Sequence, residues 1–366
     1  MKSTFIILFL FANLSFAFSQ NTSPSTEDIS HLEAFSNPKK VWGNGLEGII
    51  EAAYRQCFKS FFIDGKLMNI RMPFAENHER DKLVEGGWEI LGKGKSDPAS
   101  LWPVVEATLQ SSDFSRYIET LNNGKEQVII FDIAAQKWDV SQDIFDIARM
   151  KAGSYHGLPH KPFVLVYGTG ARDIDVYNYL YCVAWIGLDC SAFVWHTLSY
   201  IANLAGVNLG VSLRSALGAP RGGIPSFYAG TSFYNSNSKE IIAVKDLIKN
   251  LRPADILLFR AKDGSMAHSA IIQSIDFSKG VIRYIQDTDE ALQEERGVHE
   301  SFIYFNPQNT NISLKDPSLQ WSQKRFSPFP GEKDSAFSDD GQRYRAYSGG
   351  RVVRLRIINS IIAKLL

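Results

Sequence analysis

The stretch Gly187-Leu188-Asp189-Cys190-Ser191-Ala192-Phe193, running on as VWHTLSYIANL to Leu204, sets a cysteine at the threshold of an apolar segment. A glycine and an aspartate precede that segment, so the pattern predicts a helix over 188–204 with Asp189 available as its cap. A thiol at a helix N-terminus meets the positive end of the macrodipole and unpaired backbone amides. That setting favours the thiolate, the form that acts as a nucleophile. The same amides can donate to the oxyanion formed when a thiolate attacks a carbonyl. Cys190 is therefore the candidate nucleophile. Cys182, in the apolar and aromatic run YLYCVAW, has no such help and reads as core.

Downstream, residues 206–240 are rich in Gly, Ser, Pro, Asn and aromatics and read as a long surface excursion. Arg214, Arg221, Phe227, Tyr228, Phe233 and Tyr234 stand in it, either as a substrate rim or as ordinary solvated loop residues. Three strand-like runs follow: Asp255–Arg260, His268–Ile275 and Gly280–Ile285, separated by turn residues. Ser301–Phe305 and Arg351–Ile358 are further strand candidates. One long helix followed by antiparallel strands indicates an α+β domain.

A thiolate nucleophile needs a base, commonly a histidine held by a third polar group. His268 opens the run HSAIIQSI, where a strand can anchor it while its ring faces a cleft; the same pattern also suits a surface histidine at a strand start. Gln286 closes the next strand and can return to His268 in an antiparallel hairpin, its carbonyl fixing the imidazole tautomer. Asp287 is the rival orienter, although successive strand residues point to opposite faces.

Upstream, Leu46–Phe62 has helical periodicity, with Cys57 inside it as a small buried side chain. Leu101–Leu121 is also helical, with a possible break at Ser112-Asp113; Gln127–Ile133 is strand-like, and Asp139–Ala152 reads as a helix with Ser141 a candidate N-cap. His156 and His160 have metal-ligand spacing only on a helix, and Gly157 and Pro159 argue for a loop there, so no metal site is expected. Lys2 followed by the apolar run Phe5–Phe18 and the small residues Ala17 and Ser19 reads as a signal peptide over 1–19, cleaved before Gln20, with a mobile leader over 20–41. The run is short of the ~20 residues that span a bilayer, which predicts a secreted or periplasmic protein without stable membrane insertion.

Lys+Arg and Asp+Glu both number 39, so no global field draws the chain to nucleic acid or an anionic membrane. Three cysteines make no disulfide framework, and an odd count leaves at least one thiol free, with a Cys57–Cys182 bridge still open.

GLDCSAF before a helix, then LRPADILLFR, then AHSAIIQSI, then a strand ending in YIQDT, resembles the NlpC/P60 family of papain-like cysteine peptidases over roughly 163–288. The resemblance implies a papain-like core in which the nucleophile helix packs on an antiparallel sheet. It implies Cys190 as nucleophile, His268 as base and Gln286 as the orienting residue. Tyr167 in VYGTG matches the family's Tyr-x-x-Gly upstream of the cysteine, where the tyrosine contacts substrate; its plain alternative is a core aromatic. Asp189 and Ser191 flank the nucleophile as candidate substrate contacts. Ala192 and Ala254 replace family glycines, and the 206–240 insertion is longer than usual. The domains then run as a mostly helical accessory region over 42–160, a catalytic domain over 161–310 and a C-terminal extension over 311–366 that adds strands to the core. The implied activity is cleavage of amide bonds in peptidoglycan stem peptides, typically after a D-glutamyl residue, without cofactor or metal. An amidase or acyltransferase acting on another amide or ester, and a non-catalytic wall-binding module, are the alternatives.

Overall fold

A computed structural model describes residues 45–75, 97–122, 127–132, 137–141, 163–166, 170–184, 186–261, 264–288, 297–324, 339–347 and 349–365. The stretches expected as signal peptide and leader, with His156, His160 and Tyr167, lie outside the described residues.

The chain enters through helix α1 (Leu46–Arg55), but the helix expected to reach Phe62 stops there. Phe58–Ile63 is strand β1, paired antiparallel with β2 (Lys66–Arg71). Asp64 (φ 51°) and Gly65 (φ 74°) are both left-handed, the backbone of a two-residue turn whose twist matches its strands. The aromatics of FKSFFI suit a half-buried pleat, and the Asp-Gly turn overrides the helical period. Cys57 lies between helix and strand, buried and free, so it forms no bridge with Cys182.

Two helices follow, α2 (Pro98–Leu109) and α3 (Ser112–Leu121). Asp97 caps α2 and Ser111 caps α3, which places the break at Gln110-Ser111, just before the expected pair. Strands β3 (Gln127–Asp132), β4 (Lys137–Ser141) and β5 (Phe163–Val166) form a small antiparallel sheet in the order β4-β3-β5. Asp139–Ser141 is thus strand where a helix was expected; the rest of that stretch, to Ala152, lies outside the described residues. The N-terminal region is mixed, and β5 pairs with β3 across the boundary expected at 160.

Helix α4 (Asp173–Tyr179) runs into a wide turn at Leu180–Ala184, and α5 (Cys190–Leu204) is the long helix foreseen over 188–204, beginning at the candidate nucleophile. Short helices α6 (Leu209–Leu213) and α7 (Thr231–Tyr234) lie in the 206–240 insertion. Leu209, Leu213, Leu217, Ala229, Phe233 and Tyr234 are buried in the same cluster as Phe193 and Leu198 of α5. The insertion is therefore packed on the core; its apolar residues are spaced irregularly between turn formers, so no period announced their burial.

The central sheet has seven antiparallel strands: β6 (Ile241–Val244), β7 (Ile256–Arg260), β8 (Met266–Asp276), β9 (Val281–Thr288), β10 (Gly297–Tyr304), β11 (Gln320–Trp321) and β12 (Arg351–Leu355). Their order is β11-β10-β9-β8-β7-β12-β6, so β12 lies between β7 and β6. Helices α8 (Asp340–Arg345) and α9 (Arg356–Leu365) flank it in sequence. Alternation along the strands makes two layers. Ile256, Leu258, Ile271, Ile285 and Val298 join the cluster around α5, which packs on β8 and β9. Leu257, Phe259, Ala270, Ile272 and Tyr284 form the second cluster with Trp321 and Tyr344. The fold is mixed α+β with antiparallel sheets. Helix α1 docks on it through Glu51, whose carboxylate meets Arg55 at 2.9 Å and Arg283 of β9 at 2.6 Å. Arg283 also pairs with Glu300 of β10 at 2.5 Å.

Candidate active site

Cys190 is the first residue of α5 and is 7% exposed. Asp189 has extended backbone and caps the helix: its Oδ1 accepts from the Ala192 amide at 2.6 Å and from the Ser191 hydroxyl at 2.7 Å. Asp189 and Ser191, expected as substrate contacts, are thus bonded to each other, and both are buried. Their geometry fixes the first turn that presents the thiol. The loop before it is stitched to the segment 72–75: the Leu188 amide donates to the Pro73 carbonyl at 2.8 Å, and the Ala75 amide donates to Leu188 at 2.7 Å. That segment reaches the sheet where the Val298 amide donates to the Met72 carbonyl at 3.0 Å. Gly187 is required here, because a Cβ would run into the backbone of Pro73 and Phe74.

His268 and Gln286 are brought together. Ala270 pairs with Gln286 across β8 and β9, so His268, two residues earlier, lies diagonal to Gln286 on the same face. The His268 Nε2 and Gln286 Oε1 are 2.7 Å apart, with His268 3% and Gln286 0% exposed. A carbonyl accepts only, so this bond puts the proton on Nε2 and leaves Nδ1 as the basic nitrogen. Asp287, the rival, lies on the other face, where its charge adds to burial in pushing the Cys57 thiol well up. Burial is the larger cause there, and it keeps Cys57 a protonated core thiol.

The orientation of Gln286 has supports that no local sequence signal marks. Its Nε2 donates to Ser301 Oγ and to Asp340 Oδ2, both at 3.0 Å. The Tyr284 hydroxyl donates to the same carboxylate oxygen at 2.9 Å. Ser301 in turn donates to Gln323 Oε1 at 3.1 Å, and Gln323 also bonds His299. Burial above all lowers His299, to about 4, so this ring is neutral at physiological pH. Asp340 lies in α8, 54 residues beyond Gln286. A carboxylate accepting from the amide fixes which end of Gln286 faces His268, an assignment sequence reasoning could reach only through the fold.

Alternation sets His268 and Gln286 in the second layer, beside Phe259, whose ring lies 5.3 Å from the imidazole. Cys190 stands at the tip of the helix that covers the first layer. Helix α7 packs on β8. Its Thr231 hydroxyl donates to the Met266 carbonyl at 2.8 Å, two residues before His268. Burial above all, and then the charges of Asp189 and Cys190, push its Tyr234 phenol well above the usual range.

Among the described residues, no group of three His, Cys, Asp or Glu side chains is placed to hold a metal ion, and no helix is long and apolar enough to cross a membrane. No family model, no curated protein and no solved structure matches the chain.

Proposed function

We propose that this chain is an exported cysteine hydrolase of the NlpC/P60 type, acting on amide bonds of peptidoglycan stem peptides. The buried His268–Gln286 hydrogen bond carries the reading, because it puts the Nε2 proton toward an acceptor and so makes Nδ1 the nitrogen that can act as a base. Two further observations support it. Cys190 begins a helix capped by Asp189, where the positive end of the helix dipole favours a thiolate and the developing oxyanion. Ala254, in the place of the family's glycine, has φ 71°, so the turn that calls for glycine keeps its left-handed backbone despite the substitution.

In the reaction, the Cys190 proton passes to His268 Nδ1 as the sulfur attacks the amide carbonyl. The C–N bond breaks as His268 returns that proton to the leaving amine, and a thioester forms. Water then attacks the thioester, giving its proton to His268, and the thiol departs reprotonated. Gln286 holds the imidazole in one tautomer throughout. The residues named supply both proton transfers without a cofactor.

The test is incubation of the protein, from Gln20 onward, with purified stem peptides beside a Cys190→Ala variant, with products weighed by mass spectrometry. New fragments from the wild type alone are expected. Absence of cleavage with Cys190 still labelled rapidly by iodoacetamide would redirect the substrate to another amide or ester; absence of both would sink the nucleophile assignment.

A further inference from the structure

The C-terminal part of the chain reaches the base through a run of buried hydrogen bonds. The Gln286 amide nitrogen has two protons, and both are engaged: one by Asp340 Oδ2 and one by Ser301 Oγ, each at 3.0 Å. The two acceptors differ. A carboxylate only accepts, whereas a hydroxyl accepts or donates as its surroundings dictate. If Ser301 turned its proton toward Gln286, the amide oxygen would belong there, and the NH₂ end would face His268. Gln323 removes that freedom. Its Nε2 donates to the Lys324 carbonyl at 2.6 Å, so turning this amide over would set two oxygens against each other. Its Oε1 is therefore the end that meets Ser301, 3.1 Å away, and it takes the hydroxyl proton. Ser301 then has only lone pairs to offer Gln286. All three side chains are buried, in surroundings where a mismatched pair is costly. Gln323 and Asp340 also stand side by side: Lys324 bridges Asp339, and the Asp340 amide donates to the Gln323 carbonyl at 3.2 Å.

We propose that Gln323 is a positioning residue of the site: anchored on a main-chain carbonyl, it sets the direction of the hydrogen bonds through Ser301 and Gln286 and so keeps the proton of neutral His268 on Nε2. The inference rests on His268 being the base of the proposed hydrolase. From the anchor outward, Gln323 donates to Lys324 and accepts from Ser301, Ser301 accepts from Gln286, and Gln286 accepts from His268. Each link takes its polarity from the one before it, and Nδ1 is the nitrogen left to receive a proton. The stretch after residue 311, expected only to add strands to the core, supplies both Gln323 and Asp340 to the control of the base.

The experiment reads the ring itself. Long-range proton–nitrogen correlation spectra of the isotope-labelled protein, at a pH where His268 is neutral, report which ring nitrogen carries the proton; the signals of His268 are those lost in His268→Gln. Wild type is compared with Ser301→Ala, Gln323→Met and the double variant, each checked for cooperative urea unfolding. Each single change should raise the share of ring protonated on Nδ1 about fivefold, the effect of one neutral hydrogen bond. The double variant should go no further than either single one, because Gln323 acts through Ser301. A folded Gln323→Met with the wild-type tautomer would overturn the proposal, and so would a double variant in which the two shifts multiply. If Gln323→Met does not fold, Ser301→Ala decides alone: it removes one hydroxyl from the same chain, and an unchanged tautomer there overturns the proposal equally. The spectra need neither Cys190 nor substrate. The expected tautomers in a protein that cleaves nothing and leaves Cys190 unlabelled would therefore overturn the hydrolase reading while the control of the His268 proton stands.

Discussion

Asp340→Asn is the sharpest perturbation of the buried network behind the base. Asp340 is 0% exposed, and its Oδ2 accepts from Tyr284 at 2.9 Å and from Gln286 at 3.0 Å. A hydrogen bond to a charged acceptor contributes about 1.5–3 kcal/mol and a neutral one about 0.5–1.5 kcal/mol. Neutralising the acceptor of two such bonds should therefore cost about 2 kcal/mol, read from urea unfolding at constant m-value. The change also frees the Gln286 amide to turn its NH₂ end toward His268 Nε2. That forces the ring to carry its proton on Nδ1 and removes the base proposed for Cys190. Cys190 alkylation at neutral pH should slow at least tenfold in the same variant, while Tyr284→Phe, which spares Gln286, should lose about 1.5–3 kcal/mol with nearly unchanged labelling. Equal stability and equal labelling in Asp340→Asn would show that this carboxylate does not set the amide, and the orientation argument would fall.

Other perturbations test the frame. Glu51→Ala removes one carboxylate partner of the buried Arg283 guanidinium, and should cost about 3–5 kcal/mol of thermal or urea stability by breaking a buried ion pair. Gly187→Ala drives a methyl into the Pro73–Phe74 backbone and should cost about 1–3 kcal/mol, with a lower melting temperature as the readout. His299 is held near 4 in the folded chain against about 6.5 unfolded, so between those values the unfolded state binds the extra proton. Stability from this group is complete above pH 6.5 and falls with acid. Urea titrations at pH 7.5 and 5.0 should differ by about 2 kcal/mol on its account, a slope that His299→Gln should flatten.

Cys190, the helix after it and the strands carrying His268 and Gln286 were legible because each announces itself locally: a cap before an apolar run, or turn residues between β-branched runs. The hairpin at 58–71 was missed for a different reason. Its apolar residues also fit a helical period, and only the Asp64-Gly65 turn distinguishes the two. The burial of Tyr234 and the role of Asp340 had no signal of that kind. They follow from contacts between segments far apart in the chain, which periodicity cannot report.

The position of β12 has a consequence for how the molecule is made. Strand β6 joins the sheet through β12, and β7 meets β12 on the side away from β8. The hairpin of β8 and β9 can therefore zip early, but the sheet waits for a strand that emerges from synthesis after all its others. Until then β7 offers a bare edge to any neighbouring chain. A protein built this way finishes folding only once its final strand is available.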